Sequence, residues 1–188
     1  MSLIEHYRAM ARNNAYSNPR LLAACCRLED EAFRRERVSF FPSLVATLNH
    51  VFIVDRFYIA GLRGETPDYS FFVDEVPYAE AGALRDAQAL SDRELIRLCD
   101  GLGEANLGRN VLLDRGPQGV HRESVGSVLP HLFVHQIHHR GQAHAMLSGT
   151  PVPPPQLDEF FLVSDRSLRA DDERAFGRGR ISSDRNPV

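Results

Sequence analysis

Apolar residues recur at helical spacing along most of the chain, and breaks in that recurrence divide it into four long elements. Leu3, Ile4, Tyr7, Met10 and Ala11 fall on one helical face, and Leu21, Leu22, Cys25 and Leu28 resume the pattern after SNPR. Pro19 lacks the N–H that a helix interior needs, so the first element should kink there or restart with Ser17 or Asn18 as cap. The second, FPSLVATLNHVFIVDRFYIAGL, has Pro42 placed for a first turn and stops near Gly61 and Gly64. Residues 63–77 carry two prolines and clustered acids and read as a long surface connection, the kind that lets consecutive helices run parallel. The third element covers residues 78–102, with a break expected at Ser91, where Glu94 would complete a capping box.

Between residues 109 and 124 the period changes. Short apolar runs flank RGPQG, which predicts a small hairpin. The fourth helix runs from about Ser124 to Leu147, and Pro130 should kink it or mark its true beginning. SGTPVPPPQ ends helical structure, LDEFFLV is placed to dock through its aromatics, and no internal repeat is present. The fold class is therefore all-α: a four-helix bundle with a long crossover after helix 2 and a small hairpin before helix 4. A single domain spans residues 1–163, and residues 164–188 form a charged, mobile tail with at most a helical turn.

Composition removes several function classes. The chain has 188 residues, 43% hydrophobic and 25% charged, enough for one domain with a sizeable core. Its 22 basic residues are all arginine, they are interspersed with 25 acids, and the formal charge is −3. Nucleic acid is disfavoured because no concentrated basic footprint exists, and the absence of lysine removes Schiff-base chemistry. Cys25, Cys26 and Cys99 form neither a disulfide framework nor a metal knuckle and read as small buried residues in a reducing compartment. The amphipathic N-terminus lacks a signal-peptide core, and no apolar run is long enough to span a bilayer, so a soluble cytoplasmic protein is expected.

The histidines change the picture most. Five of eight, His131, His135, His138, His139 and His144, lie in PHLFVHQIHHRGQAHAML, otherwise an apolar helix. At about 100° per residue, His131, His135, His138 and Gln142 share an arc of roughly 60°, with His139 about 40° beyond His135 and His144 nearly opposite. The pairs 131/135 and 135/139 both have the i, i+4 spacing that lets two imidazoles converge on one ion. A facing helix must complete such a site, and His50, in the apolar TLNHVFIV, is the candidate; alone it would more often be a hydrogen-bonded core histidine. His6 and His121 read as solvated. The segment is not a zincin site, because Gln136 follows His135 where that motif has a catalytic Glu.

LNHVFIVDRFYIAGL, HLFVHQIHHRGQAHAML and PPQLDEFFL together resemble the DinB (DNA-damage-inducible), or YfiT-like, family of metal-binding four-helix proteins, over about residues 3–162. The resemblance implies a helical bundle, often a homodimer, with a divalent metal on one histidine of helix 2 and an H-x-x-x-H pair of helix 4. Carried onto this chain, those ligands are His50, His135 and His139, and His138 becomes a neighbour of the site. Similar proteins use the metal to activate a low-molecular-weight thiol for transfer to electrophiles or for thiol-dependent isomerisation; others are hydrolytic. Three protein ligands would leave coordination positions open. Imidazoles suit zinc, nickel, iron, copper and manganese, with zinc and nickel the leading candidates.

Other residues take weaker expectations. Arg140 and Gln142 orient the site or an anion, although a buried arginine more often serves structure. Asp55 is an imidazole-orienting acid or, better, a structural partner. Gly141 permits close helix packing beside the metal, and Asn49 makes a local polar contact. Two readings lead: a metal-dependent thiol transferase acting on a small electrophile, and a non-catalytic, metal-stabilised stress-response or partner-binding protein; a metal-dependent hydrolase and a metal-free polar core network of histidines are the remaining alternatives.

Overall fold

The computed structural model describes residues 1–175. Its long helices are α1 (Leu3–Cys25), α3 (Leu44–Leu62), α4 (Ala81–Asp100) and α5 (Val125–Ser148); α2 (Asp30–Arg34) and α6 (Ala170–Ala175) are short. α1 packs on α4 and α5, and α3 packs on the same two, which closes a four-helix bundle. Between α4 and α5, β1 (Asn110–Asp114) and β2 (Val120–Ser124) pair antiparallel as the expected hairpin, with Leu112 opposite Arg122. Among the described residues no helix is long and apolar enough to cross a membrane.

Three expected helix breaks do not occur. α1 runs unbroken through Pro19, and neither Ser17 nor Asn18 caps a second helix; both are buried. α4 continues through Ser91, which is buried on its inward face instead of forming a capping box with Glu94. α5 begins at Val125, where the Ser124 hydroxyl accepts from the Ser127 N–H (3.0 Å), and Pro130 lies inside it. Proline at 130 leaves the Gly126 carbonyl without its helical donor, and the Tyr7 hydroxyl of α1 donates to that oxygen at 3.2 Å. Tertiary contact thus satisfies what the local sequence could not. Pro42 likewise stands outside α3, whose cap is Ser43, accepting from the Ala46 N–H.

The aromatic segment docks as expected through Phe160, which is buried and meets Tyr16 edge-on at 5.4 Å between ring centroids. The presumed tail is ordered at its start: a 3-10 stretch at Val163–Arg169 leads into α6, and Arg169 is buried, with Nη1 donating to the Leu162 carbonyl (2.8 Å). The rest of the expected tail, 176–188, lies outside the described residues. Cys25 and Cys99 are buried, and burial pushes both thiols up to about 12; Cys26 is exposed, contrary to expectation, because it follows the last turn of α1.

Two apolar clusters fill the bundle. One holds Phe57, Leu95, Leu129 and the hairpin's Leu113; the other holds Leu21, Leu44, Leu84 and Leu147. Along each long helix the residues between the two clusters are polar: Asn14 and Asn18 on α1, Asp55 on α3, Gln88 and Asp92 on α4, Gln136 and Arg140 on α5. All are buried. The bundle is therefore divided by a polar layer, and the histidine cluster sits at that level.

Candidate metal centre

His50 of α3 and His135 and His139 of α5 converge so that one ligand nitrogen from each lies within 4.8 Å of the others. The i, i+4 spacing stacks the α5 pair on one face, with ring centroids 4.4 Å apart, and His50 faces both at 4.9 and 4.8 Å. Of the 131/135 and 135/139 pairs, the one that converges with His50 is 135/139: His131 leans instead toward Tyr58 (5.2 Å) and lies 6.4 Å from His135.

The donor set fits a divalent ion on three counts. His139 Nδ1 and Gln142 Oε1 are 2.8 Å apart; the oxygen can only accept, so Nδ1 carries the proton and the Nε2 lone pair is left for a ligand bond. His50 Nε2 and His135 Nε2 face each other at 3.0 Å, and His135 Nδ1 is buried without a hydrogen-bond partner, so no carboxylate or carbonyl satisfies that ring. The surroundings of all three imidazoles favour the neutral form, the one that ligates metal. Burial and then the charge of His139 lower His50 to about 4; burial and then the neighbouring histidines, His139 first, lower His135 to about 3; burial lowers His139.

Gln142 holds the α5 side of the triad in place. Its oxygen accepts from His139 and its amide nitrogen donates to His138 Nε2 at 3.1 Å, so His138 is tied to Gln142 beside the converging set and is not part of it. Gln142→Leu is expected to weaken zinc binding by about 10–100-fold while leaving the fold intact, measured by calorimetric titration against a competing chelator. Of the remaining histidines, His144 sits 3.0 Å from the Pro155 carbonyl, away from the site, and His6 and His121 are exposed, as the helical arc requires.

Gln136 does not face the triad. It is fully buried in the polar layer, donating to Asp55 Oδ2 and accepting from Arg140 Nη1 (2.9 Å). A glutamate at this position would meet Asp55, not a metal-bound water, which excludes the zincin arrangement on geometry as well as on residue type. Asp55 also accepts from Gln88 Nε2 (2.8 Å), and Arg140 donates to Asn14 (2.8 Å) and Asn18 (3.0 Å), so both serve the bundle and neither touches an imidazole of the triad. The structural reading of both residues holds. The expectation for Gly141 does not: nothing lies within 4 Å of where its Cβ would be, because it sits on the outward face of α5.

Sequence reasoning missed one part of the site, Phe41, and reached half of another: the local polar contact expected of Asn49 is present, its Nδ2 donating to the Val45 carbonyl at 2.9 Å, but its role across the crossover was not foreseen. Phe41, in the turn before α3, lies over His50 at 4.3 Å and near His139 at 5.5 Å, closing one side of the triad. The apolar pair Phe40–Phe41 in an otherwise polar connection was the available signal. Asn49, next to His50, clamps the far end of the crossover, with Nδ2 donating to the Tyr78 carbonyl (2.8 Å) and Oδ1 accepting from the Tyr78 N–H (3.0 Å). The triad opens on its other side into a cleft of about 580 Å³ that His50, His131 and His135 help to line, and whose only acidic lining residue among the described residues is Glu75.

Comparison of the whole chain with known proteins identifies its family. The family model described as the DinB family matches residues 3–168. Protein DinB from Bacillus subtilis (strain 168) is 26% identical over 140 residues, covering 71% of this chain and 80% of that protein. The family match runs from the first turn of α1 past the docking aromatic Phe160 and takes in all three histidines, and on that ground the chain belongs to the DinB family.

Proposed function

We propose that the protein is a divalent-metal enzyme that uses its histidine triad to activate a low-molecular-weight thiol for transfer to a small electrophile, or for a thiol-dependent isomerisation. The observation that carries this reading is a three-nitrogen donor set at the edge of an open cleft, where exogenous ligands can complete the coordination sphere. A divalent ion bound there would supply Lewis acidity, lowering the pKa of a coordinated thiol so that it reacts as thiolate at neutral pH.

The chain's own residues then have limited tasks. His50, His135 and His139 hold the ion as neutral imidazoles, Gln142 fixes the tautomer of His139, and Phe41 keeps water from one side. A thiolate is already a nucleophile, so no protein base is needed, and the turning of Gln136 into the polar layer is consistent with that. A hydrolase would draw its nucleophile from metal-bound water, and a purely structural ion would need no open cleft.

The test is a Co²⁺ titration of chelator-stripped protein, with absorption followed before and after a panel of small thiols is added. A stoichiometric site that gains a sulfur-to-metal charge-transfer band with one of them is expected. Stoichiometric Co²⁺ binding with a spectrum indifferent to every thiol would overturn the thiol-transferase reading and leave the hydrolytic and metal-stabilised ones.

A further inference from the structure

The cleft beyond the triad has a chemical polarity of its own. Its walls are apolar and largely aromatic, with Ile53, Val54 and Phe57 from α3 facing Tyr69 and Phe72 from the crossover. Its volume, about 580 Å³, falls within the range of pockets that enclose one small organic ligand. The hairpin turn contributes Arg115 and Gln118 to the same lining, on the side of Tyr58 and His131.

Among the described residues Arg115 is the only cationic side chain other than histidine in that lining. Its Nη2 donates to the Tyr58 hydroxyl at 2.5 Å, and no carboxylate lies within ion-pair distance of it among the described residues. By contrast Arg12 pairs with Asp100, and Arg56 and Arg63 pair with Glu94. A guanidinium offers five N–H donors in a planar fork suited to a two-oxygen anion, and a single neutral hydroxyl leaves most of them unused.

The turn that presents Arg115 is pinned. Gly116 adopts φ +61°, and a Cβ there would come within 3.0 Å of the Tyr69 ring. The Gly116 N–H bonds Asp114 Oδ1 (2.8 Å), and the Asp114 N–H bonds the Pro67 carbonyl (3.0 Å), which ties the hairpin to the crossover. Arg115 is therefore held at the cleft by a pre-organised element and reaches the triad side through Tyr58 and His131.

We propose that this cleft binds ligands with a flat apolar or aromatic body and a single carboxylate or sulfonate, with Arg115 pairing the anion and the body lying on Phe57 and Phe72. The inference rests on reading the cleft as the substrate side of the metal centre. It assigns the electrophile to the aromatic or apolar monoanions and makes Arg115 the specificity-determining residue. Glu75 in the same lining opposes further negative charge, so a dianion is disfavoured.

The experiment uses two fluorescent probes with one aromatic body, 1-anilinonaphthalene-8-sulfonate and its neutral analogue N-phenyl-1-naphthylamine, on the full chain with and without Zn²⁺. The chain contains no tryptophan, so probe emission is read without transfer from it. In metal-free protein the sulfonate is expected to bind about tenfold tighter than the neutral probe, the contribution of one charge-assisted pair. Arg115→Gln should erase that preference while the neutral probe binds unchanged; Arg115→Lys should keep part of it, and Glu75→Gln should increase it. Ala46→Leu, which fills the cleft, should weaken both probes and so locate them. A preference that survives Arg115→Gln and Arg115→Lys intact, or that exists only with Zn²⁺ bound, overturns the proposal, since the anion would then be on the metal or elsewhere. Arg115-dependent preference in a chain that fails to bind metal would sink the enzymatic reading and leave this one standing; stoichiometric metal with no such dependence would do the reverse.

Discussion

His135→Ala is expected to abolish stoichiometric divalent-metal binding, weakening affinity by at least ~100-fold, because loss of a residue that only supports a ligand already costs about 10–100-fold. His135 is the centre of the triad: its Nε2 lies 3.0 Å from His50 Nε2, and its ring is 4.4 Å from that of His139. Metal content after dialysis against a weak chelator measures the effect. His131→Ala is the control. It removes an equally histidine-rich position one turn away, outside the converging set, and should leave metal content unchanged. Retention of metal by His135→Ala, or its loss in His131→Ala, would overturn the ligand assignment.

The same titration carries a pH signature. Protons compete with metal for an imidazole only below its pKa, and His50 and His135 are lowered to about 4 and about 3, chiefly by burial. Their contribution to affinity should stay flat through pH 6 and fall only toward pH 4, whereas exposed imidazoles would lose metal from about pH 6.5 downward.

Arg140→Met is expected to destabilise the fold by roughly 3–5 kcal/mol, the usual consequence of removing one partner from a buried charged group. Arg140 reaches α1 through Asn14 and Asn18, bonds Gln136 within α5, and lies near the carboxylates of α3 and α4. Burial and then the charge of Asp92 raise Asp55 to about 7, and burial raises Asp92 to about 6, while Arg140 moderates both. Raised folded-state values mean that the native state holds these protons more tightly than the unfolded chain. Their favourable linkage is present at low pH and is lost as pH rises through 6–7. Without Arg140 the penalty on the charged acids grows, so the variant's deficit should be larger at pH 8 than at pH 5. Urea unfolding at the two pH values measures this, and adding Asp92→Asn should recover part of the loss at pH 8. A deficit that is equal at both would mean that Arg140 acts through packing alone.

The polar layer that Arg140 joins shows where sequence reading reached its limit. Asn14, Asn18, Asp55, Gln88 and Asp92 are distributed over three helices, and although Asn14/Asn18 and Gln88/Asp92 share the i, i+4 spacing, polar pairs at that spacing are as common on solvated faces. Each is unremarkable in its own segment, and their burial together depends on how the helices are set against one another. The prolines failed as breaks for a related reason. Pro130 does remove a helical hydrogen bond, but the compensating Tyr7 hydroxyl lies more than a hundred residues away in sequence. Phe41 was missed because a short turn has no period from which a side chain's direction can be read.

By itself the sequence determined the helix count, the crossover, the hairpin and the identity of the helix carrying paired histidines, because each follows from local period and turn chemistry. It also confined the candidate metal ligands to a few residues, since i, i+4 geometry is a property of one helix. Only the tertiary structure decided which pair converges with a third histidine, because His50 on another helix meets His135 and His139 and not His131. It alone decided that Gln136 faces away from the triad, that the bundle is divided by a charged layer, and that Arg115 stands at an aromatic cleft. Convergence between helices is set by their register and packing, and a linear pattern contains neither until the elements are docked.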